Sequence, residues 1–396
     1  MNAGKEDVES VISRLSSGTG PHRRVWLWAV ALLAIAAVLY NPAADAWFGG
    51  RLLLAVRALA AGADGRGLGI VEEKTTCRDG TRQLEAIVYR KPKSRSVCGI
   101  VLVPGISELG CYHPRLQALS RHLAAAGFLV VTPDIREFRE FRMPPQAMDQ
   151  IEFWFRQVPT LDRNVVKTGL AGISFSATLS AITATRPRIR GQVAFIFGIG
   201  AYDDPLRCSR YWFASGPVTV GPGYYPTRFY AKWIIMLAAL DLLPDERERF
   251  FLSSVLTNLL LQKPVPEAGT WLSPLGSRWY RLALMREDQA DPELARQIEG
   301  RLTSELYAAI TPANAAAEVR CPVFLVHGAF DDLIPPDEST RLSWRFVNAH
   351  TRVLISPFLT HTHPMQKEPG RWEKVRAVLE AAHFLYDFAG VARQPR

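Results

Sequence analysis

The chain has 396 residues, 48% hydrophobic and 21% charged, with a formal net charge of +9. That apolar fraction excludes a wholly disordered chain, and five cysteines without CxxC spacing exclude a disulfide-stapled miniprotein and a cysteine-rich metal site. Basic residues are scattered among acids, so the charge reads as an Arg-biased surface and no nucleic-acid partner is expected.

Residues 1–24 form a polar amino-terminal tail of mixed charge. A run of sixteen apolar residues follows, Val25–Tyr40. As a helix it would be about 24 Å long, short of the roughly 30 Å hydrocarbon core unless flanking residues help. Trp26, Trp28, Tyr40 and Trp47 lie near its ends, where interfacial aromatics belong. Residues 25–44 are therefore expected to be a single-pass transmembrane anchor. The small-x-small triplet Ala44-Asp45-Ala46 also allows a cleaved signal peptide, although the polar tail before the run is long for one. Apolar runs near 20 residues do not recur, which excludes a polytopic protein. Arg23 and Arg24 favour an orientation with the amino terminus inside and the main domain outside the cytoplasm. Arg51 and Arg57 weaken that inference, so the side is left open. Residues 45–69 read as an interfacial helix followed by the Gly-rich linker Ala61–Gly69.

Beyond the linker, strands alternate with helices. Glu72–Thr76 and Leu84–Tyr89 read as strands joined by an Asp79-Gly80 turn. Gly99–Val103 is a continuous apolar strand ending at Pro104-Gly105, and residues 113–126 form an amphipathic helix closed by Gly127. Then come a strand at Phe128–Thr132, a helix at Met148–Gln157, a strand at Val165–Gly172, a helix at Ala177–Thr185 and a strand at Gln192–Ile199. After a long gap, Val323–Val326 is a strand, Ser339–Val347 a helix and Val353–Ile355 a strand. A long helix from Glu368 to about Phe388 closes the chain. Continuous apolar strands alternating with amphipathic helices predict an α/β fold, a mostly parallel sheet covered on both faces. Residues 203–310 break the alternation with helix-like segments rich in aromatics, among them Tyr211, Trp212, Phe213, Tyr224, Tyr225, Phe229, Tyr230 and Trp233. They read as an insertion between two core strands.

Gly172-Ile173-Ser174-Phe175-Ser176 stands between a strand and a helix. This is the form of a nucleophile elbow, where a tight turn needs small neighbours around a strained serine. The last position is Ser176 where Gly is usual. A serine hydroxyl needs a base, and the base needs an orienting carboxylate. The segment Cys321–Gly328 is followed by Ala329-Phe330-Asp331-Asp332-Leu333-Ile334-Pro335, which puts an acid just past a strand's carboxyl end. After the last strand comes Thr360-His361-Thr362-His363-Pro364. The order Ser174, Asp331, His361 is the Ser-Asp-His order of this hydrolase type.

On these residues the chain resembles the α/β-hydrolase fold serine hydrolases over about residues 70–202 (first half of the core) and 311–396 (second half). The motifs are the Asp79-Gly80 hairpin, LVPG after the third strand, the elbow, HGAFDDLIPP and the late histidine. The resemblance implies Ser174 as nucleophile, Asp331 as orienting acid with Asp332 the alternate, and His361 as base with His363 the alternate. Backbone N–H groups of Phe175 and Ile106 would form the oxyanion hole. Val-Pro-Gly-Ile replaces the family's usual His-Gly, and Pro133–Phe138 replaces a Gly-rich turn. The aromatic insertion lies where relatives carry a lid. The expected activity is hydrolysis of a carboxylic ester, or of a thioester or amide, with an apolar or lipid-like substrate and no cofactor or metal. Acyl transfer on the same triad and a non-catalytic binding protein on the same fold are the alternatives. Oligomeric state is not indicated.

Overall fold

A computed structural model describes residues 43–59, 62–94, 96, 98–213, 228–284, 291–301, 304–313, 315–359 and 370–393. The expected anchor Val25–Tyr40, the aromatics Tyr224 and Tyr225, and both candidate bases, His361 and His363, lie outside the described residues.

Eight strands form one sheet: β1 (Val71–Asp79), β2 (Arg82–Arg90), β3 (Cys98–Val103), β4 (Phe128–Pro133), β5 (Thr168–Ile173), β6 (Val193–Ile199), β7 (Val323–Gly328) and β8 (Thr351–Ser356). Their order is β1-β2-β4-β3-β5-β6-β7-β8. The β1–β2 and β2–β4 pairs are antiparallel and every other pair is parallel. This is the α/β architecture expected from the alternation of elements.

Among the boundaries that differ from expectation, three have clear local reasons. The hairpin ladder runs out to Asp79 opposite Arg82. Apolar alternation misses those ends because β1 is mostly exposed. β5 starts at Thr168, three residues late, because Asp162 accepts from the Asn164 N–H at 2.9 Å and Val165 N–H donates to Asp162 O at 3.0 Å. That Asx turn draws Val165 out of the strand. The helix after the elbow begins at Phe175 and not at Ala177, so no loop separates it from the strand.

Thirteen helices are named here in chain order: α1 (43–59), α2 (Pro114–Ala126), α3 (Arg136–Arg139), α4 (Ala147–Leu161), α5 (Phe175–Thr183), α6 (Pro205–Phe213), α7 (Arg228–Ala238), α8 (Glu246–Leu260), α9 (Pro274–Leu284), α10 (Pro292–Arg301), α11 (Ser304–Ile310), α12 (Asp337–Arg345) and α13 (Arg371–Arg393). β3, β4 and β7 are buried along their whole length, so both sheet faces must be covered. On one face α4, α5 and α12 supply Trp154, Leu179 and Leu342 to a cluster with Val103, Leu170 and Val323. On the other, α1, α2 and α13 supply Phe48, Leu116 and Phe388 to a cluster with Phe128, Phe195 and Phe324. No helix of the described residues is long and apolar enough to cross a membrane. α1, read from the sequence as an interfacial helix, packs one side on the sheet, and its Asp45 pairs with Arg393 of α13 at 2.7 Å.

Between β6 and β7 the described residues contain helices α6–α11 and no strand. Trp233, Met236, Leu252, Trp279 and Ile298 give these helices a core of their own, so part of the aromatic content there is ordinary packing. The exit from β6 is pinned by charge. The Glu338 carboxylate of α12, almost wholly buried, accepts from the backbone N–H groups of Asp203 and Asp204 at 2.9 and 3.0 Å. Arg207 bridges Glu338 and Asp203, and Arg345 closes on Asp203.

Candidate active site

The sequence GISFS makes the turn for steric reasons. A Cβ at Gly172 would lie 2.3 Å from the Ser176 carbonyl oxygen and 2.5 Å from its carbon, so only glycine lets β5 enter α5 this closely. Ser174, between strand and helix, has φ 58° and ψ −129°. A non-glycine residue in that region costs about 1–3 kcal/mol and persists only where its surroundings enforce it. Its N–H donates to Ile199 O on β6 at 2.6 Å and its carbonyl accepts from Ala177 N at 2.9 Å. Ser174 thus stands at the tip of the turn, at the carboxyl end of β5.

Ser176, the departure from glycine, has a structural use. Its fully buried hydroxyl accepts from the Ile173 N–H at 3.0 Å and lies 3.0 Å from Val103 O, so it links the elbow to the end of β3. The next residues of that chain, Pro104-Gly105-Ile106, run beside Ser174. A Cβ at Gly105 would sit 3.3 Å from Ile173 O and 3.7 Å from Ser174 Cβ. That brings the Gly105 backbone up against the strand-to-helix turn. Phe175 occupies the first helical position after Ser174, where backbone N–H groups have no intrahelical acceptor. Phe175 stacks on Tyr202 with centroids 5.8 Å apart and meets Phe138 edge-on at 6.1 Å.

The two candidate acids sit in different environments. Asp331 is buried, and its Oδ1 accepts from the Leu333 and Ile334 N–H groups at 2.9 and 3.0 Å. Asp332 is half-buried, and its carbonyl accepts from the Tyr211 hydroxyl at 3.2 Å. Sequence reasoning missed His327, on β7. It is wholly buried, with Nε2 2.9 Å from Ile334 O and 3.4 Å from Asp331 Oδ2, and Nδ1 2.7 Å from Ser339 Oγ. A carbonyl oxygen can only accept, so Nε2 carries a hydrogen. His327 thus braces the acid loop from inside the sheet. Its position in the HG pair after an apolar strand was the available signal.

The last described residue before the candidate bases, Leu359, lies at the acid loop. A Cβ at Gly328 would lie 2.4 Å from Leu359 O, so the segment leaving β8 passes directly against the start of the acid loop. His361 follows Leu359 by two residues, at most about 7 Å of chain, and His363 by four, about 14 Å.

Several of the aromatics read as a lid grip these loops through their polar ends. Trp212 Nε1 donates to Leu333 O at 2.6 Å, Tyr211 donates to Asp332 O, and the Tyr230 hydroxyl donates to Ile106 O at 3.1 Å. Burial, then the nearby Glu108 carboxylate, push the Tyr230 phenol well above its ordinary range, so it remains a donor at any physiological pH. A small cluster of Tyr202, Cys208, Ala231, Leu333 and Ile334, with Phe175, Trp212 and Tyr230 against it, joins elbow, acid loop and inserted helices. Phe229 and Trp233 are buried in the insertion's own core.

No family model and no curated protein sequence matches the chain. Solved structures similar to it include the acylaminoacyl peptidase of Pyrococcus horikoshii, at 14% identity and a TM-score of 0.44. That match covers 80% of this chain but only 41% of the peptidase, so the chain spans about two fifths of that protein's length. Others are a thermostable esterase from Pseudomonas putida ECU1011 (13% identity, 85% and 87% of the two chains, TM-score 0.42) and a bacterial brefeldin A esterase described as a homologue of human hormone-sensitive lipase (18%, 86% and 85%, 0.42). Likenesses this low transfer no activity or residue role, and the functional reading rests on the geometry of the chain itself.

Proposed function

We propose that the protein is a serine hydrolase of the α/β-hydrolase class that cleaves a carboxylic ester through a covalent acyl-enzyme. The observation that carries this reading is the strained backbone of Ser174 at a strand-to-helix turn that only Gly172 permits. In this mechanism Ser174 Oγ attacks the substrate carbonyl as His361 takes its proton. The tetrahedral oxyanion is held by the N–H groups of Phe175 and Ile106. Collapse expels the alcohol, which receives the proton from His361. Water, deprotonated by the same imidazole, then attacks the acyl-enzyme, and the imidazolium returns that proton to Ser174 Oγ as the acid is released. Asp331 holds the imidazole tautomer. The pinned Oδ1 and the buried setting of Asp331 support it over Asp332 for that role.

The aromatic surroundings of the elbow support an apolar or lipid-like acyl group, with the inserted helices acting as a cap. The apolar run Val25–Tyr40 supports attachment to a membrane as the place of action. The test is a fluorophosphonate probe on the full-length protein. Labelling at Ser174, lost in S174A and sharply slowed in H361A, is expected. A folded wild-type protein that is not labelled overturns the mechanism, and loss in H363A with retention in H361A moves the base to His363. A series of p-nitrophenyl esters, with rate rising with chain length, tests the apolar acyl group.

A further inference from the structure

We infer that α1 and α13 together form a face that lies against a lipid bilayer. This rests on the membrane attachment proposed for Val25–Tyr40 and is independent of the hydrolase chemistry.

α1 buries Phe48 and Leu52 against the sheet, yet Trp47 and Leu54 on its outward side are 72% and 63% exposed. They stand seven residues apart, two turns along one face of the helix. α13 buries Phe384 and Phe388 in the same cluster as Phe48 and Leu52. Its exposed side carries Trp372, Val375, Leu379 and Tyr386, spaced i, i+3, i+7 and i+14, with Trp372 85% and Leu379 65% exposed. A solvated surface helix is polar on the side away from the core. Here both helices keep exposed apolar residues there, on α13 beside the Arg376–Glu380 ion pair and His383. Because both pack on one sheet face, their outward sides point the same way. The helices touch, since a Cβ at Gly49 would lie 3.2 Å from Tyr386 Cα.

Three features select a bilayer as the occupant. Tyr40, the last residue of the sixteen-residue apolar run, is separated from α1 by only Asn41 and Pro42, so α1 stays wherever that run is held. The exposed residues include two tryptophans and a tyrosine, the side chains that settle at the headgroup level. The sole acid in 43–59 is Asp45, neutralised by Arg393; Arg51 turns inward to the Ala125 carbonyl, and the exposed Arg57 is basic, as on helices lying in an anionic interface. Orientation adds a consequence. Lys167, just before β5, donates to Val391 O at 2.7 Å, so α13 has its carboxyl end at the strands' amino ends. Trp372 therefore lies toward the end of the molecule where Ser174 sits, and an apolar substrate would reach the site from the plane of the bilayer.

The test places a photoreactive benzoyl-phenylalanine at position 54 or 379 of the full-length chain, with position 344 as control. Trp344 is also exposed but belongs to α12 on the opposite sheet face. Each protein is reconstituted with phosphatidylcholine vesicles containing phosphatidylglycerol, floated, irradiated and analysed by mass spectrometry, and far-ultraviolet circular dichroism verifies folding. Lipid adducts at 54 and 379 about tenfold above those at 344 are expected, because a side chain at headgroup depth meets acyl chains continuously. Flotation without lipid adducts at 54 and 379 overturns the face while leaving the attachment intact. Adducts to the chain's own amino-terminal segment or to a second copy overturn it too. A chain that does not float overturns both the face and the attachment, and neither result bears on Ser174 labelling.

Discussion

Replacing Gly172 by alanine tests how the elbow works. The added Cβ would sit 2.3 Å from Ser176 O and 2.7 Å from Ala177 N, against an ordinary contact of 3.4 Å. Relief therefore requires a movement of about 1.1 Å, and the atoms in the way are backbone, which cannot rotate aside. Overpacking of this kind costs about 1–3 kcal/mol, with the upper end expected here. The movement falls on the residues that set the Ser174 hydroxyl and the Phe175 N–H. A misplacement of about 1 Å at a reacting centre costs on the order of a hundredfold in rate. G172A should thus lose roughly 3 kcal/mol in urea unfolding and react with a fluorophosphonate about a hundredfold more slowly. Gly198→Ala is the control. Its Cβ would meet the end of the Leu325 side chain at 3.0 Å, which can turn away. Its labelling rate should stay within about twofold of wild type. Wild-type labelling and an unchanged urea midpoint in G172A would refute the claim that the tight turn positions the nucleophile.

Other expectations concern the supports of the site. Tyr230→Phe removes the hydroxyl held by Ile106 O, a bond of about 1 kcal/mol, and should slow ester turnover about fivefold with little change in KM. Asp331→Asn keeps an oxygen for the Leu333 and Ile334 N–H groups but supplies an amide toward the base. Turnover should fall about 10⁴-fold, whereas Asp332→Asn should stay near wild type. Glu338→Ala leaves two backbone N–H groups without their buried acceptor and takes from Arg207 one of the two buried carboxylates that hold it. A loss of roughly 3 kcal/mol in urea unfolding is expected, the low end for a buried pair because Arg207 is itself 36% exposed. Asp291 accepts from Arg278 and from the Leu294 N–H, and the guanidinium, partly opposed by burial, holds its carboxyl below the ordinary value of 3.8. A depressed folded pKa stabilises above the unfolded pKa and ceases to do so as pH falls through the folded one. Asp291→Ala should therefore destabilise at neutral pH, and its deficit should shrink in unfolding curves taken progressively below pH 3.8.

All eight strands were readable from the sequence: the buried parallel ones, such as Cys98–Val103 and Val323–Gly328, because they must be continuously apolar, and the exposed antiparallel hairpin from its Asp79-Gly80 turn. The elbow was readable because a turn that tight admits few residue types. Strand ends at Asp79 and Thr168 were not, since an exposed ladder and an Asx turn leave no mark in hydrophobic periodicity. Long-range hydrogen bonds decided the rest. No local pattern tells that Tyr230 reaches Ile106, 124 residues away, or that the Ser176 hydroxyl meets Val103 O across 73 residues. His327 reads as an apolar-strand residue until Ile334 and Asp331 are placed around it. Composition and periodicity report what each residue must avoid, water or a clash, and so they determine elements and the nucleophile's turn. Which polar atoms meet is decided by chain closure in three dimensions, and only the folded structure shows the loops of the site held by helices far away in the chain.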